Sequence, residues 1–353
     1  MTFREWNRRK NLYLRGLKAK AGKFLFDKKN KNRFTPHQLK TIKKIVFLRN
    51  DNKLGDMIVN TVAFREIKKA LPKAEITVIA GPASAQIIEN NRNISQIIIC
   101  KKGLRHIIKT GLALRRQNID LYIDMDKHPT FDTLLLLRLI NPRFAFGFNR
   151  GEFKSYNLGC TFDLDGSHIT AWHQAMFRTL RLEKPQNISY DLFVPNALKK
   201  EALKFLSKLP HKKGHIALNA FAASKHRCLG ETQIKALCAA LDKYNIILLG
   251  QHAKTEALAN RIQANNLFIT PQDNLFMNFA ILAVSDLLIT PDTAFVHAAA
   301  ALDKKQICIY KASDKANQKI WAPLSDKATI LQAPDEFSEL PWEEIAKATL
   351  QKI

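Results

Sequence analysis

The sequence predicts an α/β protein built from two doubly wound halves, each a parallel sheet covered on both faces. Three observations predict it. Short apolar runs alternate with helical stretches from residue 45 onward, the βαβ rhythm of a parallel sheet. The same rhythm restarts near residue 215. The region between, 184–213, is looser and carries Pro185, Pro195 and Pro210. A length of 353 residues suits two domains. With 46% apolar and 25% charged residues the composition is globular, which excludes collagen, coiled coil and wholesale disorder.

The first half begins at 45–48, a short apolar run after two lysines that reads as a buried strand. Val59, Ala63, Ile67 and Ala70 then recur at helical spacing, and Pro72 follows that helix. Residues 75–80 (EITVIA) form the second strand, closed by Gly81 and Pro82. Further strands are expected at 96–100, 121–125 and 144–148, with helices between them. In the second half, strands are expected at 215–221, 245–250, 267–270, 287–290 and 306–310. Ile234, Leu237, Cys238 and Leu241 line one face of the first intervening helix, and an amphipathic helix closes the chain from 338 to 353. The divisions are a basic amphipathic extension at 1–44, a first domain at 45–190, a second at 191–335 and a C-terminal helix at 336–353, with the linker near 186–200. Two such halves facing a central cleft hold ligands at the carboxyl ends of their strands.

Charge is the unusual property. Lys and Arg number 56 against 31 Asp and Glu, a net +25, which implies an anionic partner. Residues 1–44 hold 15 of the bases and only two acids, Glu5 and Asp27. Phe3, Trp6, Leu12, Tyr13, Leu14, Leu17, Phe24, Leu25 and Phe26 interleave with the bases. A basic helix of this kind can lie in a membrane interface. It can also be a solvated tail. Nucleic-acid binding is the weakest alternative, since no motif for it follows. Five scattered cysteines, with no CxxC, argue against a structural zinc site and fit free thiols in a reducing compartment. No apolar signal-peptide core is visible, and the longest apolar segment, 134–140, is too short to span a bilayer and is broken by Arg138.

Three loops carry the chemistry. The first, Arg49-Asn50-Asp51-Asn52-Lys53-Leu54-Gly55-Asp56, leaves the first strand and enters a helix. Asp56 can cap that helix or act as a general base. No GxGxxG is present, which disfavours a nicotinamide enzyme. The second, Thr290-Pro291-Asp292-Thr293-Ala294-Phe295-Val296-His297, follows a strand. Asp292 or Thr293 can cap the next helix, whose free N–H groups make an anion site. His297 reads either as a buried packing residue or as a catalytic one. The third, at 221–227, offers Ser224, Lys225 and Arg227 to a diphosphate, Arg as a fork and Lys as a point charge. Asp124-Met125-Asp126 has the spacing of a metal clamp, but its place at a strand end reads better as wall or capping residues.

These loops, in this order, resemble family 9 glycosyltransferases, the heptosyltransferases of lipopolysaccharide core assembly. The resemblance rests on Ile45-Val46-Phe47-Leu48-Arg49, Leu54-Gly55-Asp56, Leu71 to Ala80, the stretch 120–126, Gly147-Phe148-Asn149, Pro291-Asp292-Thr293 with His297-Ala298-Ala299-Ala300, and Trp321-Ala322-Pro323. It spans roughly 45–335. It implies a GT-B fold with an acceptor-side first domain and a nucleotide-sugar-binding second domain. It implies inverting transfer of heptose from ADP-heptose, with no metal and no cofactor, onto the Kdo- or heptose-bearing inner core of lipopolysaccharide or lipooligosaccharide.

By the same resemblance Asp56 matches the catalytic base. Ser224, Lys225, Arg227, Glu256, Asp292, Thr293 and Ala294 match the donor side, and Arg49, Asn50, Lys53 and Gly55 the acceptor-side loop. Ala294 stands where the family carries Gly, and His226-Arg227-Cys228-Leu229 where it carries Lys-Arg-Trp-Pro. The implied partners are ADP-heptose, a lipid A–Kdo acceptor and an anionic inner-membrane surface met through residues 1–44, without nucleic acid. The implied location is cytoplasmic, peripheral on the inner face of the inner membrane. Transfer of another sugar, transfer onto protein, and an inert sugar-nucleotide-binding relative are the alternative readings.

Overall fold

A computed structural model describes all residues except 1–2, 102, 127, 165, 186–187 and 211–212, and the side chains of α1 apart from those at 3–5, 7–9, 11–12 and 15. The expected roles of Phe3 and Leu12 therefore lie outside the described side chains. The chain runs α1 (Phe3–Phe26), α2 (Pro36–Leu39), β1 (Lys44–Arg49), α3 (Leu54–Ala70), β2 (Glu75–Ala80), α4 (Pro82–Ile88), β3 (Gln96–Ile99), α5 (Leu104–Arg115), β4 (Leu121–Asp124), α6 (Phe131–Ile140), β5 (Phe144–Phe148), β6 (Leu158–Cys160) and α7 (Thr170–Thr179). It continues α8 (Asn196–Leu206), β7 (His215–Asn219), α9 (Glu231–Ala240), β8 (Asn245–Leu249), α10 (His252–Ile262), β9 (Leu267–Ile269), α11 (Leu275–Val284), β10 (Leu287–Pro291), α12 (Ala294–Ala301), β11 (Lys305–Lys311), α13 (Lys315–Trp321), β12 (Ala328–Ala333) and α14 (Trp342–Lys352).

Two six-stranded sheets result, in the orders β3-β2-β1-β4-β5-β6 and β12-β11-β10-β7-β8-β9. Neighbouring strands pair in parallel throughout. Parallel strands need a crossover between them and become buried on both faces, which is why β4, β5, β8 and β10 are buried along their whole length. Two of the four edge strands, β6 and β12, escape the sequence reading because glycine or polar residues interrupt their apolar run, as Gly159 does in β6 and Thr329 and Gln332 do in β12.

The chain divides into one unit of 1–53, 62–164 and 170–188 and another of 54–61, 165–169 and 189–353. The segment 54–61, the amino half of α3, thus packs with the second unit.

In the first unit the latter part of the basic extension is part of the structure. Asp27 accepts from the backbone N–H groups of Lys154 and Ser155, at 3.0 and 2.8 Å. Asn157 donates to the carbonyl of Asn32, and Phe34 meets Phe144 edge to face. Phe26 and Phe131 join a core with Val46, Leu48, Ile107, Leu114, Tyr122 and Leu134 to Leu137. In the second unit Phe337, Leu340, Ile345, Ala346 and Ala348 enter the core with Ile216, Leu248 and Ile307, so α14 closes that unit's hydrophobic layer. Among the described residues no helix is long and apolar enough to cross a membrane.

Candidate active site

In the second sheet the strand order reverses between β7 and β10, which pair directly. Loops leaving the carboxyl ends of two such strands diverge and open a crevice. Asn219 ends β7 and spans the two strands. Its amide donates to Thr290 Oγ1 at 3.0 Å and to Thr293 Oγ1 at 3.1 Å. Thr293 is the N-cap of α12 and accepts from the Phe295 N–H at 3.3 Å. Of the two caps expected from sequence, the structure uses Thr293.

Asp292 is thereby left to face the loop after β7. Its carboxylate accepts from Arg227 Nη1 at 3.2 Å and from Asn317 Nδ2 at 3.0 Å. Burial pushes its pKa up, while Asn317 and Arg227 pull against that shift. Arg227 is oriented by a second bond, from Nε to Ser224 Oγ at 3.0 Å. A pocket of about 290 Å³ opens here, lined by Ser224, His226, Arg227, Asp292, Lys311, Asp314, Asn317 and Phe337. Lys311 is held by Asp335 at 3.2 Å. Ser224, Arg227 and Asp292 of the predicted set therefore meet in one pocket. Lys225 is exposed beside them and does not line it, and Glu256 is exposed on α10. Asn317, Asp314 and Lys311 were missed by sequence reasoning. They arrive on and after β11 because β10 and β11 pair in parallel, and an isolated Asn has no motif to announce it.

Asp56 enters the same unit from α3. It is the third residue of that helix, half-buried in the first turn, where a carboxylate favours the helix dipole. The cap position is Lys53, with no side-chain cap bond, so Asp56 is not the N-cap that one sequence reading allowed. Gly55 beside it is tightly packed: a Cβ there would stand 3.1 Å from His297 Cδ2, which would have to give by a few tenths of an ångström, and 3.4 Å from Ala294 Cα. The first turn of α3 is therefore packed on the first turn of α12.

His297 takes the packing role. It is 4% exposed, edge-on to Tyr190 and Trp321, with its Nδ1 unpaired. Burial first, then nearby His168, lowers its pKa to about 3, so it is neutral near pH 7.

The loop 49–53 belongs to the first unit and is tied down rather than open. Arg49 donates from Nη1 to the Met125 carbonyl at 2.9 Å and meets Asp126 at 3.4 Å, while Nη2 pairs with Asp51 at 2.9 Å. Asn52 sits at φ 60°, and its Oδ1 caps α4 through the Ala83 N–H at 2.9 Å. Gly81 leaves the space for that side chain, since a Cβ would collide with Asn52 Oδ1. Asn50 is half-buried, and the Lys53 side chain is 66% exposed.

The 124–126 pair caps the end of β4, Asp124 Oδ1 accepting from the Asp126 N–H at 3.0 Å, and both acids also belong to a largely buried charge network. Asp124 pairs with Arg150 at 3.1 Å and accepts from Tyr156 Oη at 2.5 Å, with Asp124 and Arg150 almost wholly buried. Burial, and then Asp124, raise the Asp126 pKa to about 7. Among the described residues no group of three or more His, Cys, Asp or Glu is set to hold a metal ion. Another pocket, of about 560 Å³, lies at the amino ends of β4 and β5, lined by Asp120, Arg143 and Lys28 among others, away from the strand ends where these loops leave the sheet.

Two parallel six-stranded sheets with flanking helices are the architecture of the GT-B glycosyltransferases. The chain belongs to glycosyltransferase family 9 (heptosyltransferase), whose model matches residues 107–347. It is 25% identical over 340 residues to an Escherichia coli (strain K12) protein described as "Putative lipopolysaccharide heptosyltransferase 4", covering 93% of this chain and 92% of that one. A glycosyl transferase family 9 structure from Veillonella parvula DSM 2008 superposes with a TM-score of 0.75 at 19% identity, over 88% of this chain and 97% of that one. The structure of E. coli ADP-heptose lps heptosyltransferase II gives 0.72 at 17% identity, over 88% and 98%. These likenesses in structure establish the fold.

Proposed function

We propose that the chain transfers heptose from ADP-heptose to the inner core of lipopolysaccharide or lipooligosaccharide, at a Kdo or heptose hydroxyl, with inversion. The observation that carries this reading is the packing of Gly55 on Ala294 and His297, which sets the first turn of α3, the turn that holds Asp56, against the first turn of α12. In the proposed reaction the acceptor hydroxyl loses its proton to Asp56 as its oxygen attacks the anomeric carbon. The bond from that carbon to the diphosphate oxygen breaks, and ADP leaves with the electron pair. Single displacement inverts the centre, with no covalent sugar–enzyme intermediate. Charge developing on the diphosphate is met by Arg227, by Lys225 and by the N–H groups opening α12. Thr293 and Ala294 border that terminus, and Asp292 holds Arg227 and Asn317 in register.

The likeness to the K12 lipopolysaccharide heptosyltransferase relative and to E. coli ADP-heptose lps heptosyltransferase II supports the donor and the lipopolysaccharide acceptor. A net charge of +25 suits an acceptor that is anionic through carboxylates and phosphates. On this reading the enzyme works in the cytoplasm, peripheral on the inner face of the inner membrane, with residues 1–44 holding it to the anionic leaflet. Isothermal titration with ADP-heptose and a panel of UDP-, GDP- and other ADP-sugars tests the donor. Preferred binding of ADP-heptose is expected. Preference for another nucleotide sugar would replace the donor, and no binding to any would point to an inert relative.

A further inference from the structure

Two helices of the first unit hold rows of large apolar side chains in exposed positions. On α1, Trp6, Tyr13, Leu17 and Phe24 are 45%, 69%, 45% and 90% exposed. Their spacing puts them on one side of the helix, and Gly22 falls on the opposite side. On α5, Leu104, Ile108 and Leu112 are 53%, 38% and 45% exposed, one above the other at four-residue intervals. An isolated exposed Leu needs no explanation, but a continuous row marks an interaction surface.

Both helices are seated on α6. A Cβ at Gly22 would stand 2.9 Å from the Phe131 Cα, and one at Gly111 would stand 2.5 Å from Leu139 Cβ, so each glycine allows a close helix crossing. Phe26 from α1, Ile107 and Leu114 from α5, and Leu134 to Leu137 from α6 enter one core cluster. The two helices therefore flank α6. On α1 the apolar row lies opposite Gly22, whereas on α5 Leu104 shares the side of Gly111 and Ile108 and Leu112 turn progressively away from buried Ile107 and Leu114.

The charge around the α5 row has one sign, and that around the α1 row is mainly basic, with Lys23 paired to Glu152. Arg105, Lys109, Arg115 and Arg116 are exposed on and just after α5, and residues 101–116 contain no acid. Lys10, Lys18 and Lys20 are exposed on α1, and Lys10 Nζ lies 5.0 Å above the Trp6 ring. A second copy of this chain would bring like charge to like charge. An anionic lipid surface matches both features, with apolar rows entering the headgroup boundary and bases on the phosphates.

We propose that α5 is a second membrane-contacting helix, so that α1 and α5 form a two-helix docking face for an anionic bilayer. This rests on the membrane part of the proposed function and extends it beyond residues 1–44. The α1 row alone would leave the unit free to pivot on one helix, whereas two rows fixed on α6 set its orientation on the leaflet.

The test is co-sedimentation of the full chain with phosphatidylglycerol–phosphatidylethanolamine vesicles, free of donor and acceptor, so that loss of transfer and loss of docking are read separately. The variant Leu104→Gln/Ile108→Gln/Leu112→Gln is expected to bind about tenfold more weakly, with α1 intact and donor affinity unchanged. A charge variant, Arg105→Glu/Lys109→Glu, keeps the apolar row and is expected to lose a similar amount on anionic vesicles. Lys235→Glu/Lys254→Glu, exposed in the second unit, removes the same charge elsewhere and is expected to bind as the parent does. Undiminished binding of both α5 variants would overturn the proposal. So would equal loss in the Lys235/Lys254 control, which would make the attraction one of total charge. A dimer without vesicles that dissociates on substitution of the α5 row would assign that row to a second copy and also overturn it.

Discussion

Gly55 and Ala294 lie against each other: a Cβ built on Gly55 would stand 3.4 Å from the Ala294 Cα and 3.7 Å from its Cβ. The two residues open α3 and α12, the helices that begin beside Asp56 and Thr293. The helix turn that carries Asp56, the proposed base, and the helix end proposed to bind the donor are thus in direct contact. Gly55→Ala is expected to push on the His297 ring, which Tyr190 and Trp321 flank edge-on. Overpacking of this kind costs about 1–3 kcal/mol. Denaturant unfolding should show that loss, and titration should show weakened donor binding. Unchanged values would mean the two helix ends yield independently.

Arg227 is the cation that the Asp292 carboxylate and the Ser224 hydroxyl hold in the pocket. Replacing it with Ala leaves Asp292 with Asn317 but without its cation. Two changes are expected. The Asp292 pKa should rise further, and affinity for a nucleotide diphosphate should fall about tenfold, as for loss of one charge-assisted contact. Arg227→Lys should restore only part of it, because a point charge cannot serve Ser224 and Asp292 together. Equal affinity in all three proteins would remove Arg227 from the donor site.

Arg150 and Asp124 form a nearly fully buried ion pair, at 3.1 Å, with Tyr156 completing the carboxylate's partners. Arg150→Met leaves that carboxylate buried without its cation, for which about 3–5 kcal/mol is the usual cost. The result is read by urea unfolding. A loss below about 1 kcal/mol, the range of exposed pairs, would show that water reaches the site.

Asp126 gives a pH signature. Its pKa is about 7 in the folded chain, raised above the ordinary 3.8 by burial and then by Asp124. Between those values the folded chain keeps a proton that the unfolded chain has lost, so this group's contribution falls as pH rises from about 4 to 7 and is flat beyond. Asp126→Asn removes that fall. The variant should therefore gain stability relative to the parent on going from pH 5 to pH 8. A constant difference across that range would contradict the assignment.

Much of the fold is legible because parallel strands buried on both faces must be apolar throughout. Residues 75–80 and 144–148 declare themselves and match β2 and β5 to the residue. The edge strands β3 and β9 keep an apolar run and are read at 96–100 and 267–270, whereas β6 and β12 are interrupted by Gly159, Thr329 and Gln332 and are not. Within the site, Asp292 and Thr293 are readable because a polar pair between a strand and a small-residue helix has few other uses. Asn317 is not readable, since its value depends on where a parallel crossover returns the chain. Arg49 illustrates the opposite case. It reads as an open cation at the end of a strand, yet it is 8% exposed and spent on Asp51, Asp126 and a carbonyl, partners that lie up to 77 residues away. Sequence names the residue, and the partner across the sheet decides what it can do.

The central claim is that Asp56 accepts the acceptor proton during heptose transfer. The most direct measurement is transfer from ADP-heptose to a Kdo-bearing lipid A acceptor by the parent chain and by Asp56→Ala, with donor affinity measured in both. Transfer by the parent, a fall of roughly 10²-fold or more in the variant and unchanged donor affinity are predicted. A variant that transfers at the parent's rate would reduce Asp56 to a favourable charge on the first turn of α3 and contradict the account.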